Sequence, residues 1–194
     1  FGRATPRRFL RLSRFVRWAS SDTHYCQQET KKKDYYAWYC SQFLPKPVAR
    51  ASSVFHALHH ELINPELKIR GHTMGQQVDN GVSTAQVKQM KVQWWKDAIN
   101  NVYHVAERVK GNKGELKNED LPAHPVIQAA YDLLMEDIKL SKTLFAGLFR
   151  AHADQSLPMT IEDLERYGKD SLGSVMALTL ECFFKDRKDI TQAQ

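Results

Sequence analysis

The stretch HALHHEL places three histidines and a glutamate, His56, His59, His60 and Glu61, within six residues. His56 and His60 are four apart, which on a helix puts two imidazoles on one face and within reach of a single ion. The pattern is not H-E-x-x-H, because Glu61 follows the pair instead of lying between its members. No third ligand is identifiable along the chain. The expectation is partly buried or surface histidines, with no metal ligand, no cofactor and no catalytic residue.

Carboxylates fare no better. A magnesium-diphosphate site needs aspartates one helical turn apart, so that several oxygens face one cation. Asp132 with Glu136, and Asp186 with Asp189, come nearest to that spacing. The first pair falls opposite an apolar stripe of Val126, Ala129, Ala130, Leu133, Leu134 and Ile138; the second lies in the charged run KDRKD. Both pairs are expected to face solvent. A glycine-rich phosphate loop, a nucleophile elbow and a C-x-x-C pair are all missing from the sequence, so hydrolytic and nucleotide-driven chemistry have no footing. Three cysteines, Cys26, Cys40 and Cys182, argue against zinc and disulfide frameworks. Cys40 and Cys182 stand among apolar residues and are expected to be buried and inert.

The elements that carry these residues read as helices throughout. The chain has 194 residues, 42% hydrophobic and 26% charged, enough for one domain with a real core. No apolar run approaches the roughly 18 residues that span a bilayer. Residues 1–20 hold no acid but six arginines, Arg3, Arg7, Arg8, Arg11, Arg14 and Arg17. Thr5, Phe9, Leu12 and Val16 would share the opposite face of a helix. This is the composition of a mitochondrial targeting segment, here residues 1–21, and Phe1 in place of Met suggests what is left of a longer one. The arginines are also the candidate partner-binding residues, for protein subunits or lipid headgroups, with RNA phosphates a weaker choice.

A domain over 22–194 follows. Its first helix is expected from Ser21/Asp22 to Leu44, with Tyr36, Tyr39/Cys40 and Phe43 packed inward. A second runs from Pro47 to about Ile63, and 71–81 reads as a loop. Ser83 with Gln86 forms a capping box for the clearest helix, with Val87, Met90, Trp94, Ala98, Val102, Val105 and Val109 on its apolar face. After a polar loop over 111–123, helices are expected at Pro125–Ile138, Leu140–His152 and Thr160–Phe184. The last should be laced by Glu162–Arg166 and Glu165–Lys169 pairs. Such helices bury their stripes only by packing together, so the fold is all-α.

Four segments carry a resemblance: KDYYAWYCSQFLPKPVARASSVFHALHHEL, QVKQMKVQWWKDAINNVYH, HPVIQAAYDLL and TIEDLERYGKDSLGSVMALTLE. In order and spacing they are similar to the front half to two-thirds of the squalene/phytoene synthase family. The aromatic helix ending in Phe43-Leu44-Pro45, then Arg50, resembles the family's opening; the Trp94-Trp95 and Tyr167 helices resemble its next landmarks. The resemblance implies an isoprenoid-synthase-like helical bundle, truncated before its C-terminal part. Synthases of the family use two aspartate-rich motifs to hold magnesium. Here no aspartate occurs between Asp34 and Asp79, and Asp170 and the run Leu172-Gly173-Ser174-Val175-Met176 depart from the family's Tyr and AGxVG pattern. The likeness is therefore to the non-catalytic mitochondrial branch, the complex I assembly factor type. It implies a pseudoenzyme on the matrix face of the inner membrane, a scaffold or accessory subunit within a respiratory complex, complex I favoured. Truncation implies exposed apolar surface for partner subunits to cover. Two rivals are a mitochondrial ribosome-associated protein and a prenyl-diphosphate transferase with an unconventional metal site.

Overall fold

Among the described residues, apolar residues at helical spacing form eight α-helices, five of which pack against the third. The structure, a computed structural model, describes residues 10–63, 68–69, 72–73, 84–111, 121–136, 138–153 and 158–191; of these, side chains are described from residue 21 to 184, except those of Lys68, Ile69, His72, Thr73 and Thr84. The helices are α1 (Leu10–Lys33), α2 (Tyr35–Ser41), α3 (Lys46–Ile63), α4 (Thr84–Lys110), α5 (Pro125–Met135), α6 (Lys142–Ala153), α7 (Ile161–Gly168) and α8 (Ser174–Thr191). A π-helical turn, Lys169–Gly173, joins the last two. A two-residue antiparallel pair, Lys68–Ile69 with His72–Thr73, leaves the all-α class unchanged. Among the described residues, no helix is long and apolar enough to cross a membrane.

Helix α3 is the hub, touching α1, α2, α5, α6 and α8. Its Val48, Ala51, Val54, Phe55, Ala57, Leu58 and Leu62 are buried, and each fully buried large side chain contributes roughly 1.5–3 kcal/mol. Pro47 sits in its first turn, where a missing N–H costs nothing. Polar contacts fix how the neighbours lie. The buried Thr30 hydroxyl of α1 donates to Ser53 O on α3 (3.1 Å), sharing its proton with Cys26 O one turn back. Glu181 of α8 accepts from the Ser141 N–H (2.9 Å) and hydroxyl, capping the start of α6 from a distance. Tyr103 on α4 donates to Leu140 O at 2.9 Å.

Several expectations need correction. Helix α1 does not begin at Ser21/Asp22: it runs without a break from Leu10 to Lys33, and stops at Asp34 where one helix to Leu44 was expected. Three lysines in its last turn suit the negative end of the helix dipole. Asp34 then leaves helical geometry (φ −142°, ψ 82°), and its Oδ1 accepts from Ala37 N–H to start α2. The aromatic stripe of α2 is not core, for Tyr36 is 81% and Phe43 74% exposed, with Tyr35 and Tyr39 beside them. Cys40 is exposed as well; Cys26 and Cys182 are the buried thiols.

On α4 the inward face is offset from the one expected. Met90 is exposed, while Lys91, Val92, Trp95 and Ile99 join Ala98, Val102 and Val105 inside. Helix α5 stops at Met135, short of Ile138. Thr160 does cap α7, accepting from Asp163 N–H at 3.1 Å. Arg166, however, pairs with Asp163 at 2.5 Å, not with Glu162. The expected single helix 160–184 is interrupted by the π-turn, whose Asp170 holds Arg150 of α6 through two bonds of 2.8 Å. Ser83 of the capping box, the side chains of Asp186 and Asp189, Arg3, Arg7 and Arg8, and the side chains of Arg11, Arg14 and Arg17 lie outside the described residues.

Candidate functional site

The break between α1 and α2, facing α3, gathers a cluster of ionisable side chains. Lys33 ends α1, and its ammonium lies 3.0 Å from Glu29 on the same helix and 3.3 Å from Glu61 on α3. Burial pulls the Lys33 pKa down, but the two carboxylates outweigh it and hold the group above its ordinary value. One ammonium thus stands between the carboxylates of two facing helices. Beneath it, burial and the Glu61 and Glu29 charges raise Tyr25. His124 accepts from Val126 N–H at 3.3 Å, opening α5, and its ring meets Trp95 edge-on at 4.8 Å. Burial lowers the His124 pKa against the pull of the Glu61 carboxylate, and the charge of the buried Lys91 works in the same direction as burial.

The histidines divide into two groups. Successive turns of α3 bring His56 and His60 to the side where Asp34 lies; one donor atom from each of the three falls within 4.8 Å of the others. Asp34 is the candidate third donor that the linear sequence did not reveal. Burial lowers the pKa of both imidazoles, with the Asp34 charge opposing it. His59 points toward α6, its ring 5.1 Å from that of His152, which in turn meets Tyr167 edge-on at 6.2 Å. Burial pushes His59 down to about 3 and His152 to about 4, so both stay uncharged at neutral pH. His56 Nδ1, His59 Nδ1, His60 Nε2 and His152 Nε2 are buried with no hydrogen-bond partner among the described residues.

Asp132 was expected on a solvated face, yet it is half-buried between α5, Asp22 of α1 and Arg50 of α3. Burial first, then the Asp22 carboxylate, raises it to about 7, against the pull of Arg50. Arg50 itself pairs with Glu136. Two apolar surfaces complete the picture. On α2 and the turn after it, Tyr35, Tyr39 and Phe43 form a run of ring contacts, with Lys31 of α1 over Trp38 at 4.4 Å. From the π-turn into α8, Leu172, Met176, Leu180 and Phe184 recur every four residues along an exposed stripe, opposite the buried Val175, Leu178 and Cys182. A helix apolar on both sides is built to be covered on both. Ile161 and Leu164 extend the exposed apolar surface onto α7.

The sequence profile of squalene/phytoene synthase matches residues 30–194, most of the chain. Among curated proteins, the chain is similar to NADH dehydrogenase (ubiquinone) complex I, assembly factor 6, from several mammals. It is 24% identical to the Mus musculus protein over 160 residues, covering 81% of this chain and 40% of that one. The Homo sapiens protein is 27% identical over 161 residues, with the same two shares. The Rattus norvegicus protein is 25% identical over 164 residues, 82% of this chain and 41% of its own length. The chain therefore spans about two fifths of the length of these relatives. No solved structure matches at a comparable level of significance.

Proposed function

This chain belongs to the squalene/phytoene synthase family, and from that premise we propose that it is a non-catalytic helical scaffold, an assembly factor or accessory subunit of mitochondrial complex I. The observation that carries the non-catalytic reading is the Lys33 bridge. A synthase that ionises a diphosphate needs carboxylates free to bind magnesium. Here the carboxylates facing each other across α1 and α3, Glu29 and Glu61, share one ammonium. Helix α3 offers imidazoles at the turns where paired aspartates would be required.

The choice of partner rests on the relatives, whose names place them in the assembly of NADH dehydrogenase complex I. The α7–α8 stripe and the α2 aromatic surface are the proposed contact faces for complex I subunits. The basic arm, residues 1–21 with Arg3, Arg7, Arg8, Arg11, Arg14 and Arg17, serves import and then electrostatic contact. With it goes a location on the matrix face of the inner membrane.

Depleting the protein from cells and separating respiratory complexes on native gels tests the proposal. Mature complex I should fall while the other complexes persist, and re-expression should restore it. A paired Met176→Ser and Leu180→Ser variant should fold but rescue poorly. Normal complex I levels after depletion, or magnesium-dependent turnover of farnesyl diphosphate by the purified protein, would overturn the reading.

A further inference from the structure

We propose that Asp34, His56 and His60 bind a transition-metal dication of the zinc class, which clamps the break between α1 and α2 onto α3. This is independent of the assembly role. His56 and His60 are one turn apart on α3, so their imidazoles rise from the same face. Asp34 reaches them from the break, and the three donors lie within 4.8 Å of one another. Bonds of about 2.0–2.1 Å to a tetrahedral zinc put donors about 3.4 Å apart. Closure therefore requires side-chain shifts of about an ångström, within the range of rotations about χ1 and χ2.

The surroundings favour a cation. His56 Nδ1 and His60 Nε2 are each buried and without a hydrogen-bond partner among the described residues, so each ring carries a nitrogen with nothing to satisfy it. Asp34 is already oriented, because its Oδ1 accepts from Ala37 N–H at 2.9 Å; its second oxygen can bind a metal without uncapping α2. The charges that reach His60 are Asp34, Glu61 and Glu29 against Lys33. Three carboxylates and one ammonium leave two negative charges, which a dication neutralises.

The donor set selects the metal. Magnesium and calcium take oxygen ligands, whereas two imidazoles and one carboxylate suit zinc and its neighbours in the first transition row. Three protein ligands leave a fourth position for water or a partner's side chain.

The test uses the full chain without an affinity tag, stripped by chelator and titrated with Zn²⁺ by calorimetry and with Co²⁺ by visible absorption. One equivalent should bind, Zn²⁺ should raise the melting temperature, and Co²⁺ should give the intense ligand-field bands of a four-coordinate site. His56→Ala and His60→Ala should each weaken binding at least tenfold. Asp34→Asn keeps a capping oxygen, so the break should still fold; it too should weaken binding tenfold. His104→Ala, an exposed histidine elsewhere on α4, should bind as the parent does. Absence of stoichiometric binding by the parent overturns the proposal. So does binding that survives the paired His56→Ala and His60→Ala change, or a folded Asp34→Asn protein that binds with undiminished affinity.

Discussion

Replacing Asp132 with asparagine should stabilise this protein, by an amount that grows as the pH rises above 3.8 and levels off above about 7. The carboxyl is half-buried, and burial together with the Asp22 carboxylate lifts its pKa from 3.8 to about 7. In the unfolded chain the group titrates near 3.8. Below that value both states hold the proton, and the residue contributes no pH dependence. Between 3.8 and about 7 the folded state keeps a proton that the unfolded chain has lost, so stability falls as the pH rises. Above about 7 the full penalty of a buried charge is present. A displacement of about three pH units is worth about 4 kcal/mol at about 1.36 kcal/mol per unit. Water still reaches part of the side chain, and Arg50 lies near it; screening brings the expected effect to about 1–2 kcal/mol. Asparagine mimics the neutral form at every pH. Urea unfolding of the two proteins should therefore give equal stabilities near about pH 4 and a gain of about 1–2 kcal/mol for Asp132→Asn near about pH 8. Equal stabilities at both ends, or a variant weaker at high pH, would refute the reasoning, because the difference isolates this one group from every other titration.

Three further outcomes follow from the packing. Thr30→Val keeps shape but loses the bond to Ser53 O, and should cost about 1 kcal/mol in chemical denaturation. Leu178→Ala, at 0% exposure on the inner face of α8, should cost about 2–5 kcal/mol, whereas Leu180→Ser on the outer stripe should stay within about 0.5 kcal/mol. Gly173→Ala would set a methyl group 3.2 Å from Gly168 O inside the π-turn, a backbone neighbour that cannot swing away, so a loss of about 1–3 kcal/mol in thermal unfolding is expected.

Periodicity made α3, α4, α5 and α6 legible, because each buries a broad stripe against several neighbours and the apolar spacing records it. It failed on α2. Tyr36, Tyr39 and Phe43 do share a face, but spacing says which residues stand together, not whether another helix covers them; this seven-residue helix packs against α1 and α3 with that face turned outward. The break at Asp34 had a visible signal, a lysine run suited to a helix C-terminus followed by a good N-cap residue. The aromatic block beyond it hid that signal. Asp34 as a neighbour of His56 and His60 could not be read from the chain, since 22 residues separate it from the nearer histidine and only the α1–α3 packing joins them. The Lys33 bridge and the placement of Asp132 depend on the same kind of cross-helix approach. The buried Lys91 shows the opposite limit, for its residue type argues for solvent and its position on α4 overrules it.

The π-turn between α7 and α8 fixes more than a local kink. Each residue of an α-helix advances the chain by about 100° around the axis, and a π-turn is an α-helix that has absorbed one residue too many. Deleting one residue from 169–173 would remove that surplus, so the segment could return to ordinary helix while Val175, Leu178 and Cys182 keep facing inward. A deletion between Val175 and Leu178, in the regular turns of α8, has no such surplus to draw on and would swing Leu178 and Cys182 out of the core by that angle. Single-residue deletions should thus be far less damaging inside the π-turn than just after it, which makes this short stretch a reservoir of one residue ahead of the C-terminal helix.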